Sequence, residues 1–140
     1  MTTRRAGFTL LEIVVVMSIL GLLISLVTPQ LVGRTDRARR TKVLADLSLI
    51  EQALGRYQLD AGRYPTTAQG LTALVRPPIT TPSPRAWTAG GYLDHVPIDP
   101  WGHPYVYFDT TDDRFHLGSL GADGVEGGEG PGADIDRHDS

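Results

Sequence analysis

Apolar positions along this 140-residue chain fall into three regimes. From Phe8 to Val32 they run almost without a break, interrupted by Glu12, by Gln30 near the end and by small or hydroxylated residues; from Ile13 to Val27 nothing is more polar than Ser18 and Ser25. Helix at ~1.5 Å per residue over Phe8–Val32 spans about 37 Å, enough for a hydrocarbon core of about 30 Å. From Val43 the pattern becomes periodic. Val43, Leu47, Ile50, Leu54 and Tyr57 step by four, three, four and three, the stripe of an amphipathic helix, with Asp46, Glu51, Gln52 and Arg56 on its other faces. Gly62 supplies a C-terminal stop and Pro65 follows. The pattern therefore predicts one helix from Phe8 to about Ala61, about 80 Å long, half in a membrane and half carrying a small domain.

Beyond Gly62 the segments are short. Thr66 and Gln69 have capping-box spacing, which predicts a second short helix with Leu71, Leu74 and Val75 facing the long one. Pro77, Pro78, Pro82 and Pro84 forbid regular structure across 76–86. A short strand is expected near Tyr92 and Leu93 within a loop, and Asp99-Pro100-Trp101-Gly102 is a turn whose Trp belongs on the core. His103–Phe108 and Arg114–Leu117 read as two strands joined by an Asp109–Asp113 turn. The fold class is α+β: a long helix against a small antiparallel sheet.

Charge sharpens this picture. The overall formal charge of −3 conceals a gradient: residues 1–42 carry +5, residues 43–93 carry +1 and residues 94–140 carry −9. The acidic far end excludes a nucleic-acid-binding face there, because phosphates would be repelled. Cysteine is absent, which removes disulfides, thiolate metal sites and thiol nucleophiles. The histidines at 95, 103, 116 and 138 lack HExxH spacing, no Gly-x-Ser-x-Gly elbow is present, and Asp112-Asp113 fits a hairpin turn better than an acid/base pair. No enzymatic chemistry is read from the chain.

Two features remain. Glu12 sits inside an apolar segment, where a carboxylate costs roughly 2.5–3.5 kcal/mol on insertion scales. No Lys, Arg or His lies between Arg5 and Arg34, so the segment offers no side-chain cation. An amine at position 8, released by a cut after Gly7, would supply one. A cleavable secretory signal fits poorly, because Thr28-Pro29-Gln30-Leu31-Val32-Gly33 contains no Ala-x-Ala site. A plain anchor leaves Glu12 unexplained. The second feature is Ser119–Asp136, with six glycines and five acids, a supply of hard oxygen ligands without EF-hand spacing.

Gly7-Phe8-Thr9-Leu10-Leu11-Glu12 resembles the leader junction of the type IV pilin-like superfamily. That resemblance implies a leader at 1–7 removed by prepilin peptidase after Gly7, N-methylation of Phe8, and Glu12 paired with the N-terminal amine of a neighbouring subunit. It also implies that the helix bends or partly melts in a filament near Pro29. Tyr64-Pro65-Thr66-Thr67-Ala68-Gln69-Gly70-Leu71, Gly90-Gly91-Tyr92-Leu93, Pro97-Ile98-Asp99-Pro100-Trp101-Gly102-His103-Pro104-Tyr105 and Ser119-Leu120-Gly121-Ala122-Asp123-Gly124 are similar to the major pseudopilin family of type II secretion.

From this follow 8–32 as a transmembrane and assembly helix and 33–140 as a periplasmic domain with a calcium-binding loop. The protein would be a single-pass inner-membrane subunit polymerising into a pseudopilus that drives export of folded proteins. Its partners would be copies of itself, minor pseudopilins, the inner-membrane assembly platform and prepilin peptidase. The Ca2+ ligands implied are the Leu120 carbonyl, the Asp123 side chain, the Val125 carbonyl and the Asp134 side chain. Ala133 stands where some members have a second Asp, leaving Glu126, Glu129 or water as alternatives for the remaining oxygen. The basic residues Arg34, Arg37, Arg39, Arg40 and Lys42 either meet acidic surfaces of neighbouring subunits or form a solvated helix face. A type IV pilus or competence pilin, and a membrane-anchored hydrolase or calcium-dependent binding domain, are the competing readings.

Overall fold

The computed structural model describes residues 9–84, 86–110 and 114–138. A single helix, α1 (Leu10–Ala61), is followed by two 3-10 turns, Leu71–Leu74 and Gly130–Gly132, and by three strands, β1 (Val106–Asp109), β2 (Phe115–Ser119) and β3 (Ile135–His138). Compact units divide between Arg37 and Ala38, so α1 belongs to both.

In the first unit the helix continues through Pro29. Its apolar side chains from Leu10 to Ile24 are solvent-facing, Leu10 at 82% exposure. Over Leu10–Ile24 a helix rises about 22 Å, and among the described residues no helix is long and apolar enough to cross a membrane. Ser18 returns its hydroxyl to the Val14 carbonyl at 2.8 Å, which satisfies that donor without a partner from outside the helix.

The second unit is built on the stripe that the sequence pattern identifies. Val43, Leu47, Ile50, Leu54 and Tyr57 are all buried, and with Leu74, Leu117, Tyr107, Phe115 and Ile135 they form one core. The 3.6-residue period puts these positions on one side of α1, where burying them is worth roughly 1.5–3 kcal/mol per large side chain. The helix stops where Gly62 takes φ +74°, a left-handed conformation that costs glycine nothing, and donates its N–H to the Gln58 carbonyl at 2.7 Å.

Thr66 and Gln69 make the reciprocal capping bonds that their spacing suggests: Thr66 N–H to Gln69 Oε1, and Gln69 N–H to Thr66 Oγ1. The expected second helix is corrected, however. Residues 67–70 form hydrogen-bonded turns, and only Leu71–Leu74 closes a 3-10 turn. Gly70 at φ +57° interrupts the helical path, and the Gln69 amide turns outward to donate to the carbonyls of Thr80 and Pro82, bracing the proline-rich loop. The short strand expected near Tyr92 is also corrected. Tyr92 and Leu93 are buried in a loop, and both donate their N–H groups to the Leu74 carbonyl.

The sheet is antiparallel in the order β1-β2-β3. Tyr107 pairs with Leu117 across β1 and β2, and Leu117 with Arg137 across β2 and β3. β1 starts later than the expected strand at His103, because Pro104 only bridges to Ile98 and cannot donate to a ladder. Thr110 N–H donates to the Arg114 carbonyl at 2.9 Å across the β1–β2 connection. Residues 111–113 of the expected turn lie outside the described residues. β3 was not expected from the pattern at all.

Candidate functional site

The glycine-rich acidic loop lies between β2 and β3, and its start is held by a buried polar network. Asp99, 3% exposed, accepts the N–H groups of Trp101 and His103 on Oδ1 and the Ser119 hydroxyl on Oδ2. Ser119, itself fully buried, accepts the N–H of Gly121. His103 Nδ1 lies 3.1 Å from the Gly121 carbonyl. A carbonyl only accepts, so this ring nitrogen carries the proton. The Asp-Pro-Trp-Gly turn therefore serves as the anchor of a loop twenty residues downstream, a role that nothing in its own sequence announces.

Within the loop, Asp123 accepts the Val125 N–H on Oδ1 at 3.2 Å. Its other oxygen lies against bare backbone: a Cβ on Gly132 would sit 2.6 Å from Asp123 Oδ2 and one on Gly128 would sit 3.0 Å away. The glycines there make room for a carboxylate. Asp134 and Gly127 bond reciprocally, Gly127 N–H to Asp134 Oδ2 at 2.8 Å and Asp134 N–H to the Gly127 carbonyl at 3.2 Å. Ala122 N–H donates to the Pro131 carbonyl, so the two ends of the loop are joined.

The sequence-implied ligand residues are distributed unequally. Leu120, Glu126 and Asp134 line one cavity of about 260 Å³, together with His116, Gly118 and Asp136. Asp123 is not part of that wall. Val125 is 63% exposed, and Glu129 is exposed at the cap of the Gly130–Gly132 turn. Among the described residues no three His, Asp or Glu side chains are gathered to hold a metal on their own. The donor chemistry nevertheless fits a hard cation. Asp134 Oδ1 is buried without any hydrogen-bond partner, and an orphaned buried carboxylate oxygen is costly unless a cation or water meets it. Neutral carbonyls complement such a carboxylate for Ca2+, which takes six to eight oxygens of mixed type.

Glu12 lies in the first turn of α1, exposed, in the first unit. Its N–H is satisfied by Thr9, through both the carbonyl and the hydroxyl. Negative charge suits a helix N-terminus, where N–H groups point outward. Gly7 and Phe8 lie outside the described residues. Of the basic cluster, Arg40 reaches the Ala133 carbonyl at 3.4 Å and Lys42 pairs with Asp46, so these two cations have partners within their own chain.

Residues 30–138 match the family described as Type II secretion system (T2SS), protein G, and residues 2–28 match the prokaryotic N-terminal methylation motif. The type II secretion system core protein G of Pseudomonas aeruginosa is 49% identical over 138 residues, covering 98% of this chain and 97% of that protein. The protein of the same name from Vibrio cholerae is 50% identical, covering 94% and 90%. The crystal structure of the major pseudopilin from the type 2 secretion system of enterohaemorrhagic Escherichia coli is similar in fold, with a TM-score of 0.67 and 42% identity over 79% of this chain and 95% of that one.

Proposed function

The chain belongs to the type II secretion system protein G family, and on that footing we propose that it is the major structural subunit of a pseudopilus, whose growth from the inner membrane drives export of folded proteins. The observation that carries this reading is the extent of the likeness. It covers 98% of the chain, and the match at 30–138 takes in the second unit from Ala38 to residue 138, beyond the N-terminal motif common to pilins. A type IV pilus or competence pilin would be expected to share the methylation motif alone. The role is mechanical, a repeating subunit rather than a catalyst.

In this reading prepilin peptidase removes residues 1–7 and methylates Phe8. The mature chain is then anchored once in the inner membrane by 8–32, with 33–140 in the periplasm. Leader removal discards Arg4 and Arg5, so the working subunit has 133 residues and a side-chain charge of −5. Glu12 meets the N-terminal amine of a neighbouring copy, a pairing that relieves the cost of a carboxylate in an apolar layer only when subunits pack side by side. Copies of the chain, minor pseudopilins, the inner-membrane platform and the peptidase are the partners.

Calcium would be held by the Leu120 and Val125 carbonyls and the Asp123 and Asp134 carboxylates, with Glu126, Glu129 or water completing the shell. The ion supplies a positive charge that neutralises the loop. The chain's own residues do the positioning: Asp99 and Ser119 fix the loop's entry, and the Gly127–Asp134 pair fixes its exit.

The test is to produce the full chain with a prepilin peptidase and the assembly platform, then to weigh its N-terminus and image the cells. A methylated Phe8 start with short filaments is the expected outcome. A chain that keeps Met1, or one processed yet never polymeric, would overturn the reading.

A further inference from the structure

Three contacts tie the far end of the chain to one edge of the helical stripe. On α1, Arg40 and Glu51 fall nearly on one line at about 100° per residue, with Ser48 beside them, just outside the buried row of Val43 and Leu47. Arg40 Nη2 reaches the Ala133 carbonyl at 3.4 Å, across 93 positions of sequence. Arg137 answers from β3, with Nη1 to Ser48 Oγ at 2.6 Å and Nε to Glu51 Oε2 at 2.9 Å. One cation points from helix to loop and the other from strand to helix.

The two differ in what they hold. Arg137 ties to α1 a strand already fixed by its ladder with β2. Arg40 grips the last carbonyl before Asp134, the residue whose Oδ1 is buried and unpartnered. That carbonyl also lies close against Gly121, where an added Cβ would sit 2.9 Å from it. Arg40 is also only three residues past the division between the two compact units. A shift of Asp134 must move the adjoining peptide, and the side chain in contact with that peptide belongs to α1.

We propose that Arg40 is a positioning residue that couples occupancy of the Asp123–Asp134 loop to the order of α1 at its entry into the second unit. The proposal rests on the calcium reading above and adds to it a route and a direction. Coupling free energies are reciprocal, so whatever orders α1 around residues 38–46 must tighten the loop's hold on its cation by the same factor. Packing of neighbouring helices would then raise calcium affinity in a growing polymer.

The experiment uses the full chain in detergent micelles, with calcium chloride as probe. Hydrogen exchange is followed at 38–46 and at 127–134, beside calorimetric titration. In the parent, calcium should slow exchange in both segments. Arg40→Ala should weaken calcium about fivefold, the low end of typical coupling. It should keep calcium's protection of 127–134 and lose it at 38–46. Arg40→Lys should restore part of the coupling, and Arg137→Ala should leave it intact. Calcium-dependent protection of 38–46 that survives Arg40→Ala overturns the proposal, whatever the affinity. If the parent binds no calcium at millimolar concentration, the calcium reading fails on its own. Arg40 is then judged by calcium-free exchange: faster exchange at 127–134 in Arg40→Ala supports the contact, and unchanged exchange overturns it.

Discussion

Tyr105 donates its hydroxyl to Asp46 Oδ2 at 2.7 Å, joining the lead-in to β1 to a residue of α1 fifty-nine positions earlier. The ring is buried, and burial, reinforced by the bond to Asp46, pushes its hydroxyl far above the usual tyrosine range, so it acts as a donor at every physiological pH. Lys42 meets the same carboxylate oxygen from one helical turn away. Tyr105→Phe should therefore cost about 1–2 kcal/mol, since Asp46 keeps a cation and partial solvent after losing a donor. Urea unfolding of a fragment beginning at Asp36 measures it; a cost below a few tenths would show the bond to be incidental.

Asp60 at the end of α1 accepts the Thr88 hydroxyl at 2.7 Å and the Tyr92 hydroxyl at 2.8 Å. These bonds, Thr88's first, hold its carboxyl below the usual carboxylate range. A depressed folded value means that the contribution is complete above the unfolded value near 4 and is lost as pH falls through the folded one. Asp60→Asn should flatten the stability profile below about pH 4 while leaving its neutral plateau parallel to the parent's. An unchanged acid limb would count against the pairing.

Calcium should raise the melting temperature of the same fragment, and EDTA should reverse the rise, because ligand binding adds to folding free energy. Asp134→Ala should abolish that increment. Gly132→Ala offers a finer test. The three atoms nearest its new Cβ all belong to the Asp123 carboxyl group, the far end of a side chain that can swing aside. The calcium-free melt should barely move while the calcium increment shrinks. Equal increments in parent and Gly132→Ala would remove Asp123 from the ligand set.

Glu12→Ala should insert into membranes at least as well as the parent, since it deletes a polar cost of roughly 2.5–3.5 kcal/mol. Filament yield should fall sharply at unchanged membrane abundance. Normal filaments from this variant would end the pairing role assigned to Glu12.

The difference between legible and illegible features follows the range of the physics involved. The stripe from Val43 to Tyr57, the Gly62 stop and the Thr66–Gln69 bonds depend on residues within a few turns of one another. Each is found where its spacing placed it. The element after Thr66 went astray because Gly70 turns the chain and because Gln69 finds carbonyls at Thr80 and Pro82 that no local window contains. β3 was missed for a related reason. Ile135-Asp136-Arg137-His138 offers one apolar residue in four, too little for a strand alone, and becomes one by adding to β2 at the edge.

Composition and short-range pattern were enough to establish the long helix, its buried face, the apolar N-terminal segment with its lone Glu12, and a loop rich in oxygen donors. They suffice because period, capping and charge act over the length of a turn. Folding alone set Asp99 beneath the loop, Asp134 Oδ1 in a buried place without a donor, and Arg40 against the Ala133 carbonyl. Those relations join residues from 20 to 93 positions apart, and they exist only once hydrophobic burial along α1 has brought the acidic end of the chain back to the basic beginning of its domain.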